Sequence, residues 1–182
     1  MKENENLKRA DLADIPDEDL EDAVMDWMWS KDDENLSEYE QILLLPKPCQ
    51  NVYSARTVTD DVMNGGFAQL FWNSSGAFAE MSVEGFLALG SPKLSNLVAK
   101  ALELRQQILD SPQDSTTGRY VAFFKRGKER DGAYDEHNDK IFHDVLHELN
   151  DGVFNELNEM FFEYDTMNYA EYIRQNADCF GD

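Results

Sequence analysis

The chain has 182 residues, of which 37 are acidic and 16 are basic, so that its formal net charge is −21. Hydrophobic residues make up 42% and aromatic residues 12% of the sequence, which is enough for a folded core and excludes a disordered acidic tail. The negative sign excludes nucleic acid and anionic membranes as direct partners, because phosphate binding requires clustered Lys and Arg.

The charge is distributed unevenly along the chain. Residues 1–40 hold 15 acids and 4 bases, residues 41–130 hold 8 acids and 10 bases, and residues 131–182 hold 14 acids and 2 bases. Two acidic ends therefore flank a nearly neutral middle, and a surface of this kind steers association toward cations. A solvated, halophile-like surface with an unrelated role is the alternative explanation.

The predicted elements are helical along most of the chain. We expect residues 1–15 to form a flexible acidic arm and residues 16–182 to form a single compact all-α domain. Hydrophobic periodicity, capping residues and Gly or Pro breaks predict helices over 17–29, 37–45, 49–64, a further piece from 67, 79–89, 92–109, 137–151 and 168–177. The apolar run 120–124 fits either a strand or a buried helix segment, which leaves open a short β-hairpin near 119–134.

The predicted helix over 17–29 has one apolar stripe and one acidic face. Glu18, Asp22 and Asp26 lie four residues apart and fall opposite the apolar stripe. Trp29 is an interface anchor if the helix extends that far, and a core residue if the helix has already ended. The second interpretation is favoured.

The predicted helix over 137–151 carries a second acidic face, formed by Asp144, Glu148 and Asp151. Residues four apart on a helix rise about 6 Å, which is close to the distance between successive phosphates of a DNA strand. The two acidic faces are therefore candidate rows for binding the DNA-contacting surface of a basic protein. Three acids beyond Gly152 are further candidates: Glu156, Glu159 and Glu163.

Motifs for catalysis and cofactor binding are few. His143, His147 and Asp151 have the spacing of zinc ligands on one helix face, but the segment HDVLH has Asp where HExxH has its general base. No phosphate-binding glycine motif occurs, and we expect no cofactor and no enzymatic activity. Cys49 and Cys179 form no CxxC pattern, the polar N-terminus has no signal core, and no apolar run reaches a membrane-spanning length, so we expect a cytoplasmic protein.

The segment DDVMNGGFAQLFWN, residues 60–73, resembles the NGGF-x-Q-x-F-x-N signature of the DNA-mimic protein nineteen family, which is known from Neisseria. The resemblance extends over about 36–180 and includes the closing segment YIRQNADCF. The signature residues are Asn64, Gly65, Gly66, Phe67, Gln69, Phe71 and Asn73. We interpret them as structural residues that break a helix and pack around the break.

The resemblance implies a mainly helical fold. It also implies that an acidic member occupies the DNA-binding surface of a helix-turn-helix transcription repressor and prevents it from binding DNA. The acid positions are not part of the signature, so the contact residues come from the rows above. Two alternatives remain: a generic acidic module for another basic protein, and a metal-dependent enzyme built on the His pair. A homodimer is compatible with the sequence.

Overall fold

Helices form the regular structure of the described residues, which are 7–31, 33–112, 114–128, 136–164 and 167–181 of a computed structural model. The α-helices in chain order are α1 (Asp17–Trp29), α2 (Glu38–Leu43), α3 (Lys47–Trp72), α4 (Ala79–Ala88), α5 (Pro92–Asp110), α6 (Ser115–Lys128), α7 (Glu136–Glu148), α8 (Asn155–Phe162) and α9 (Tyr169–Gln175). Short 3-10 helices cover Arg9–Ala13, Ser74–Phe78 and Ala177–Cys179, and a π-helix covers Leu149–Val153. The all-α prediction is confirmed.

Several helix starts follow from single residues. Pro16 and Pro46 occupy the N-cap positions of α1 and α3, and Ser91 precedes Pro92 at the first position of α5. Ser37 forms the predicted capping box before α2: its backbone N–H donates to Glu40 at 2.9 Å, and its Oγ accepts from the Glu40 N–H at 3.3 Å.

The centre of the fold is α3, which packs against α4, α6, α8 and α2. It is broken at Gly65 and Gly66, as the NGG sequence predicts, and Gly66 has φ +75°, in the left-handed region that favours glycine. The break leaves backbone groups without helical partners. Two asparagines from distant parts of the chain supply the missing hydrogen bonds.

Asn150 and Asn158 bind the broken backbone from both sides. Asn150 donates to the Gly65 carbonyl at 2.8 Å and accepts from the Ala68 N–H at 3.2 Å. Asn158 accepts from the Phe67 N–H at 3.0 Å and donates to Asn150 Oδ1 at 3.1 Å. These four bonds, which we call the asparagine clamp, join α3 to the π-helix and to α8.

The π-helix explains how Asn150 reaches α3. Its backbone bonds run from residue i+5 to residue i, as in the bond from the Phe154 N–H to the Leu149 carbonyl at 2.8 Å. One extra residue per turn rotates the chain relative to an α-helix. The predicted helix over 137–151 therefore ends as an α-helix at Glu148, and Asn150 faces inward while Asp151 and Gly152 remain exposed.

Aromatic side chains fill the core around the break. Phe67 meets Phe161 edge-on with ring centroids 5.5 Å apart, and Phe71 meets Phe124 edge-on at 6.1 Å. A single hydrophobic cluster extends from Leu7 to Phe180. Within the described part of the chain, no helix has the length and apolar character needed to cross a membrane.

The predicted arm, residues 1–15, is described from residue 7 onward. Leu7 and Leu12 are buried, and the Arg9 guanidinium donates to the Asp178 carbonyl. Arg174 donates to the Leu12 and Ile15 carbonyls at 3.0 and 2.8 Å. Residues 7–15 therefore pack against α9 and the C-terminal segment.

The predicted β-hairpin near 119–134 is wrong for residues 119–128, which belong to α6. Val121, Phe123 and Phe124 are buried, while Ala122 and Lys125 are exposed. The apolar run 120–124 is compatible with a strand and with a helix. The helix is formed because it buries one face against α3 and α5. The remainder of the predicted hairpin, 129–134, lies outside the described residues.

Replacing Gly66 with Ala should destabilise the fold by about 2–3 kcal/mol, because the new residue would keep a left-handed backbone and press on the clamp. A Cβ at Gly66 would lie 2.6 Å from Asn150 Oδ1 and 2.9 Å from Asn158 Nδ2. Urea denaturation followed by circular dichroism measures the change.

The matched control is Gly118→Ala in α6, where a Cβ meets no atom within 4 Å. This change should leave stability equal or slightly higher, because Ala favours helix by up to about 1 kcal/mol over Gly. Equal stabilities for the two variants would contradict the role assigned to the break at Gly66.

Candidate protein-interaction surface

Helix α1 presents the first predicted acidic row to solvent. Its sequence contains six acids and no base, and Glu18, Asp22 and Asp26 are exposed. The opposite face is buried through Leu20, Val24 and other apolar residues of the same helix. The amphipathic pattern therefore places the row as the sequence predicts, and three acids in the first turn are favoured by the helix dipole.

Arg56 of α3 lies beside this row and pairs with three carboxylates. Its guanidinium is 2.5 Å from Glu21, 2.8 Å from Asp60 and 3.6 Å from Asp22. Burial raises the pKa of Glu21, and the hydrogen bond and charge of Arg56 oppose that rise. One cation therefore serves three anions, which leaves the neighbourhood negative.

A depression that we call the acidic cleft runs between α1, α3, the end of α8 and α9. One part has a volume of about 210 Å³ and is lined by Glu21, Arg56 and Asp60 together with Tyr164 and Tyr169. An adjoining part of about 360 Å³ shares Glu21 and Tyr169 and adds Asp17 and Glu18. Acids from separate parts of the sequence therefore meet here beside apolar and aromatic walls.

The second predicted row is exposed but is not one straight helical row. Asp144 and Glu148 are four residues apart on α7, whereas Asp151 lies in the π-helix, whose different periodicity shifts its direction. Arg119 of α6 lies 3.3 Å from Glu148 and partly neutralises it. Glu156, Glu159 and Glu163 are also exposed, and Glu163 directly precedes Tyr164 of the acidic cleft.

The two rows occupy different parts of the fold. Helix α1 packs chiefly on α9, whereas α7 packs on α6 and the π-helix, and α8 packs on α3, α5 and the π-helix. The end of α8 approaches α1 at the acidic cleft, through Phe161 and Tyr164. The cleft is therefore the place where the first row comes nearest to the acids of the C-terminal part.

The predicted metal ligands do not form a site. His143 and His147 are exposed on α7, but the π-helix removes Asp151 from their helical register. Among the residues that the structure describes, no three His, Cys, Asp or Glu side chains are grouped so that they could hold a metal ion. Within the described residues, His143, His147 and Asp151 are therefore not brought together as a group of metal ligands.

Trp29 is exposed, contrary to the favoured prediction that it belongs to the core. Helix α1 extends to this residue, and 56% of the Trp29 side chain is accessible. Its indole N–H donates to Tyr53 Oη at 2.9 Å, and Tyr53 in turn donates to Glu38. The ring is thus held at the surface at the C-terminal end of the first row.

The signature residues have structural positions. Phe67 and Phe71 are core residues, Gly65 and Gly66 form the break, and Asn64 is exposed. Asn73 donates to Asp61 at 2.8 Å, and Gln69 also bonds to this carboxylate. Burial raises the pKa of Asp61, and the bonds from Asn73 and Gln69 lower it again. These contacts agree with the predicted structural role.

Sequence reasoning missed several residues that shape this surface and its support. Asp17, Glu21 and Asp60 line the acidic cleft, although none of them is on the predicted rows. Only the packing of α1 near α3 brings Glu21 and Asp60 together. Asn150 and Asn158 were also missed. Their only sequence signal is an asparagine pair flanking Gly152, which indicates a break but not its distant partner.

Comparison with known families gives one finding. Residues 43–176 match the sequence model of a family described as DMP19-like protein, which covers α3 to α9 and the asparagine clamp. No curated protein and no solved structure shows significant similarity to the chain.

Replacing Arg56 with Met should destabilise the protein by about 2 kcal/mol at neutral pH. This is less than the cost of breaking a fully buried ion pair, because the pair of Arg56 and Glu21 is partly solvated. The loss should shrink at acidic pH. Without Arg56 the already raised pKa of Glu21 rises further, so the folded state binds a proton more readily than the unfolded state and gains stability as the pH falls through that pKa.

Urea unfolding of the wild-type and variant proteins at about pH 7.5 and about pH 4.5 measures both effects. Arg119→Met is the control, since it removes one positive charge from the more exposed pair with Glu148. It should cost less than about 1 kcal/mol. A loss for Arg56→Met that grows at acidic pH would refute the assigned electrostatics.

Proposed function

The chain belongs to the DMP19-like family, and we propose that it is an acidic DNA mimic that occupies the DNA-binding surface of a helix-turn-helix transcription repressor. By occupying that surface it prevents the repressor from binding DNA and so relieves repression. The DMP19-like family is in general not a family of enzymes, and the proposed function requires no reaction and no cofactor. Such a partner would be met in the cytoplasm.

The observation that carries the proposal is the exposure of the acids on α1 around a cleft that also contains apolar walls. Six acids stand on α1 without a base, and two cations beside them, Arg56 and Arg174, each pair with carboxylates already. The Arg174 guanidinium lies 2.6 Å from Asp17. The remaining acids of α1 present negative charge to solvent on a folded support.

A basic DNA-reading surface has the complementary chemistry. Its Arg and Lys side chains are spaced to contact phosphates, and Arg grips a carboxylate with the same two-pronged geometry that it uses for phosphate. Carboxylates four residues apart on α1 repeat at about 6 Å, near the phosphate spacing. The exposed Trp29 at the end of the row would add an apolar anchor of the kind common at protein interfaces.

The C-terminal acids extend the proposed contact surface. Asp144, Glu148, Asp151, Glu156 and Glu159 lie on or beside α7 and α8, and Glu163 approaches the acidic cleft. Because the two rows lie on separate elements, a homodimer could bring the rows of two subunits into one strip. The oligomeric state of the protein should therefore be measured together with the effect of the contact-residue variants.

The proposal predicts that a basic partner captured with the immobilised protein from its native cell loses its own DNA when bound. A gel-shift titration of the captured protein on its cognate duplex should show release of free duplex without a slower ternary band. The triple variant Glu18→Gln, Asp22→Asn, Asp26→Asn should compete roughly 10–100-fold less well, because it removes a contact row.

Two matched variants sharpen this experiment. Asp144→Asn with Asp151→Asn and Glu156→Gln tests the exposed acids of the C-terminal part with the same loss of charge. Glu34→Gln with Glu84→Gln and Glu103→Gln removes three exposed acids elsewhere and should compete nearly as well as wild type. A ternary complex with duplex, or equal losses in all three variants, would instead identify a generic acidic module or a solvated surface.

The same complex should form at a rate that depends strongly on salt. Complementary charge accelerates encounter, and screening at higher ionic strength removes the acceleration. Raising salt from about 50 to about 300 mM should slow association by roughly tenfold or more, with a smaller change in dissociation. Stopped-flow measurement that shows a salt-independent association rate would contradict electrostatic mimicry.

A further inference from the structure

A second cavity, away from the acidic cleft, contains an unusual cation. The cavity has a volume of about 620 Å³ and opens between α2, the end of α3, the start of α4 and α5. Its lining includes Tyr39, Phe71, Phe78, Leu102, Glu80 and Arg105. This volume lies in the range of small-molecule sites.

Arg105 reaches this cavity from α5 and stands over aromatic rings. Its guanidinium carbon is 5.3 Å from the ring centre of Phe71 and 5.6 Å from that of Phe124. These rings attract the cation through their faces and fix its plane. They supply no hydrogen-bond acceptor for its N–H groups.

The charge of Arg105 is poorly compensated within the described part of the chain. Its Nε–H is buried and finds no acceptor there, and burial lowers the pKa of the guanidinium, with the charge of Glu80 acting against that effect. Arg56, Arg119 and Arg174 all have carboxylate partners by contrast. A partly desolvated cation is costly unless a partner compensates its charge.

The rest of the cavity defines the shape and charge of a ligand. Phe71, Phe78 and Leu102 give it an apolar wall, and Tyr39 stacks near Phe78 with ring centroids 5.4 Å apart. Glu38, which already accepts a hydrogen bond from Tyr53, and Glu80 line the same space, and they would repel a dianion more strongly than a monoanion. A single carboxylate on an apolar body therefore suits the one guanidinium and the apolar walls better than a dianion does.

We propose that this cavity binds a small organic monocarboxylate, whose carboxylate is held by Arg105 and whose apolar body lies against Phe71 and Phe78. The site is separate from the acidic cleft, so it does not depend on DNA mimicry. Two of its lining residues, Phe71 and Asn73, belong to the NGGF signature segment, which then has a role in forming a binding cavity in addition to supporting the break in α3.

Phenylacetate is a suitable probe, with phenylacetamide as its neutral counterpart and phenyl phosphate as a dianionic counterpart. NMR titration of the wild-type protein should shift the Arg105 Nε–H signal with phenylacetate. Binding should be roughly tenfold or more weaker for the amide, because it lacks the charge-assisted bonds, and also weaker for the phosphate. Equal or tighter binding of either counterpart would overturn the proposal, as would the absence of any shift with phenylacetate.

Variants test the assigned residue independently. Arg105→Met should lose phenylacetate binding and keep its fold, because it removes a cation without a carboxylate partner. Lys100→Met removes an equal charge from an exposed position of the same helix and should bind phenylacetate like wild type. Retained binding by Arg105→Met would overturn the proposal. If Arg105→Met does not fold, the comparison of acid, amide and phosphate on the wild-type protein decides the question.

Discussion

The fold depends on one interaction, the hydrogen bonding of a broken helix by two asparagines. Gly65 and Gly66 interrupt α3 in the middle of the core, where unsatisfied backbone groups are expensive. Asn150 and Asn158 satisfy these groups and thereby tie α3 to the C-terminal helices. The π-helix follows from the same constraint, because it turns Asn150 inward at the required point.

This constraint also organises the surface. The break bends α3, and α3 carries Arg56 and Asp60 on the side that meets α1. Beyond the break, the end of α3 contributes Phe71 and Asn73 to the cavity around Arg105. One helix therefore supports the acidic cleft on one side and the cavity around Arg105 on another.

Local features of the sequence predicted much of the fold. Prolines, the Ser37 capping box and the NGG break are signals within a few residues, and they located the starts of α1, α2 and α5 and the interruption of α3. Features that depend on distant contacts were not predictable. The run 120–124 became helix because of its packing, and the π-helix exists because Asn150 bonds to residues 85 and 82 positions away.

The site shows the same division. Helical periodicity predicted that Glu18, Asp22 and Asp26 face solvent, and they do. It could not predict that Glu21 and Asp60 share Arg56, or that Trp29 is exposed, because these depend on how α1 lies near α3. Helical periodicity also placed Asp151 in the same α-helical register as Asp144 and Glu148. The π-helix interrupts that register before Asp151.

The central claim is that this protein and DNA occupy the same surface of a basic partner. Hydrogen–deuterium exchange on that partner, measured free, with its cognate duplex and with this protein, tests the claim directly. The account predicts that both ligands protect the same peptides, including those of the recognition helix. Protection by this protein at a surface that the duplex leaves unprotected would contradict it.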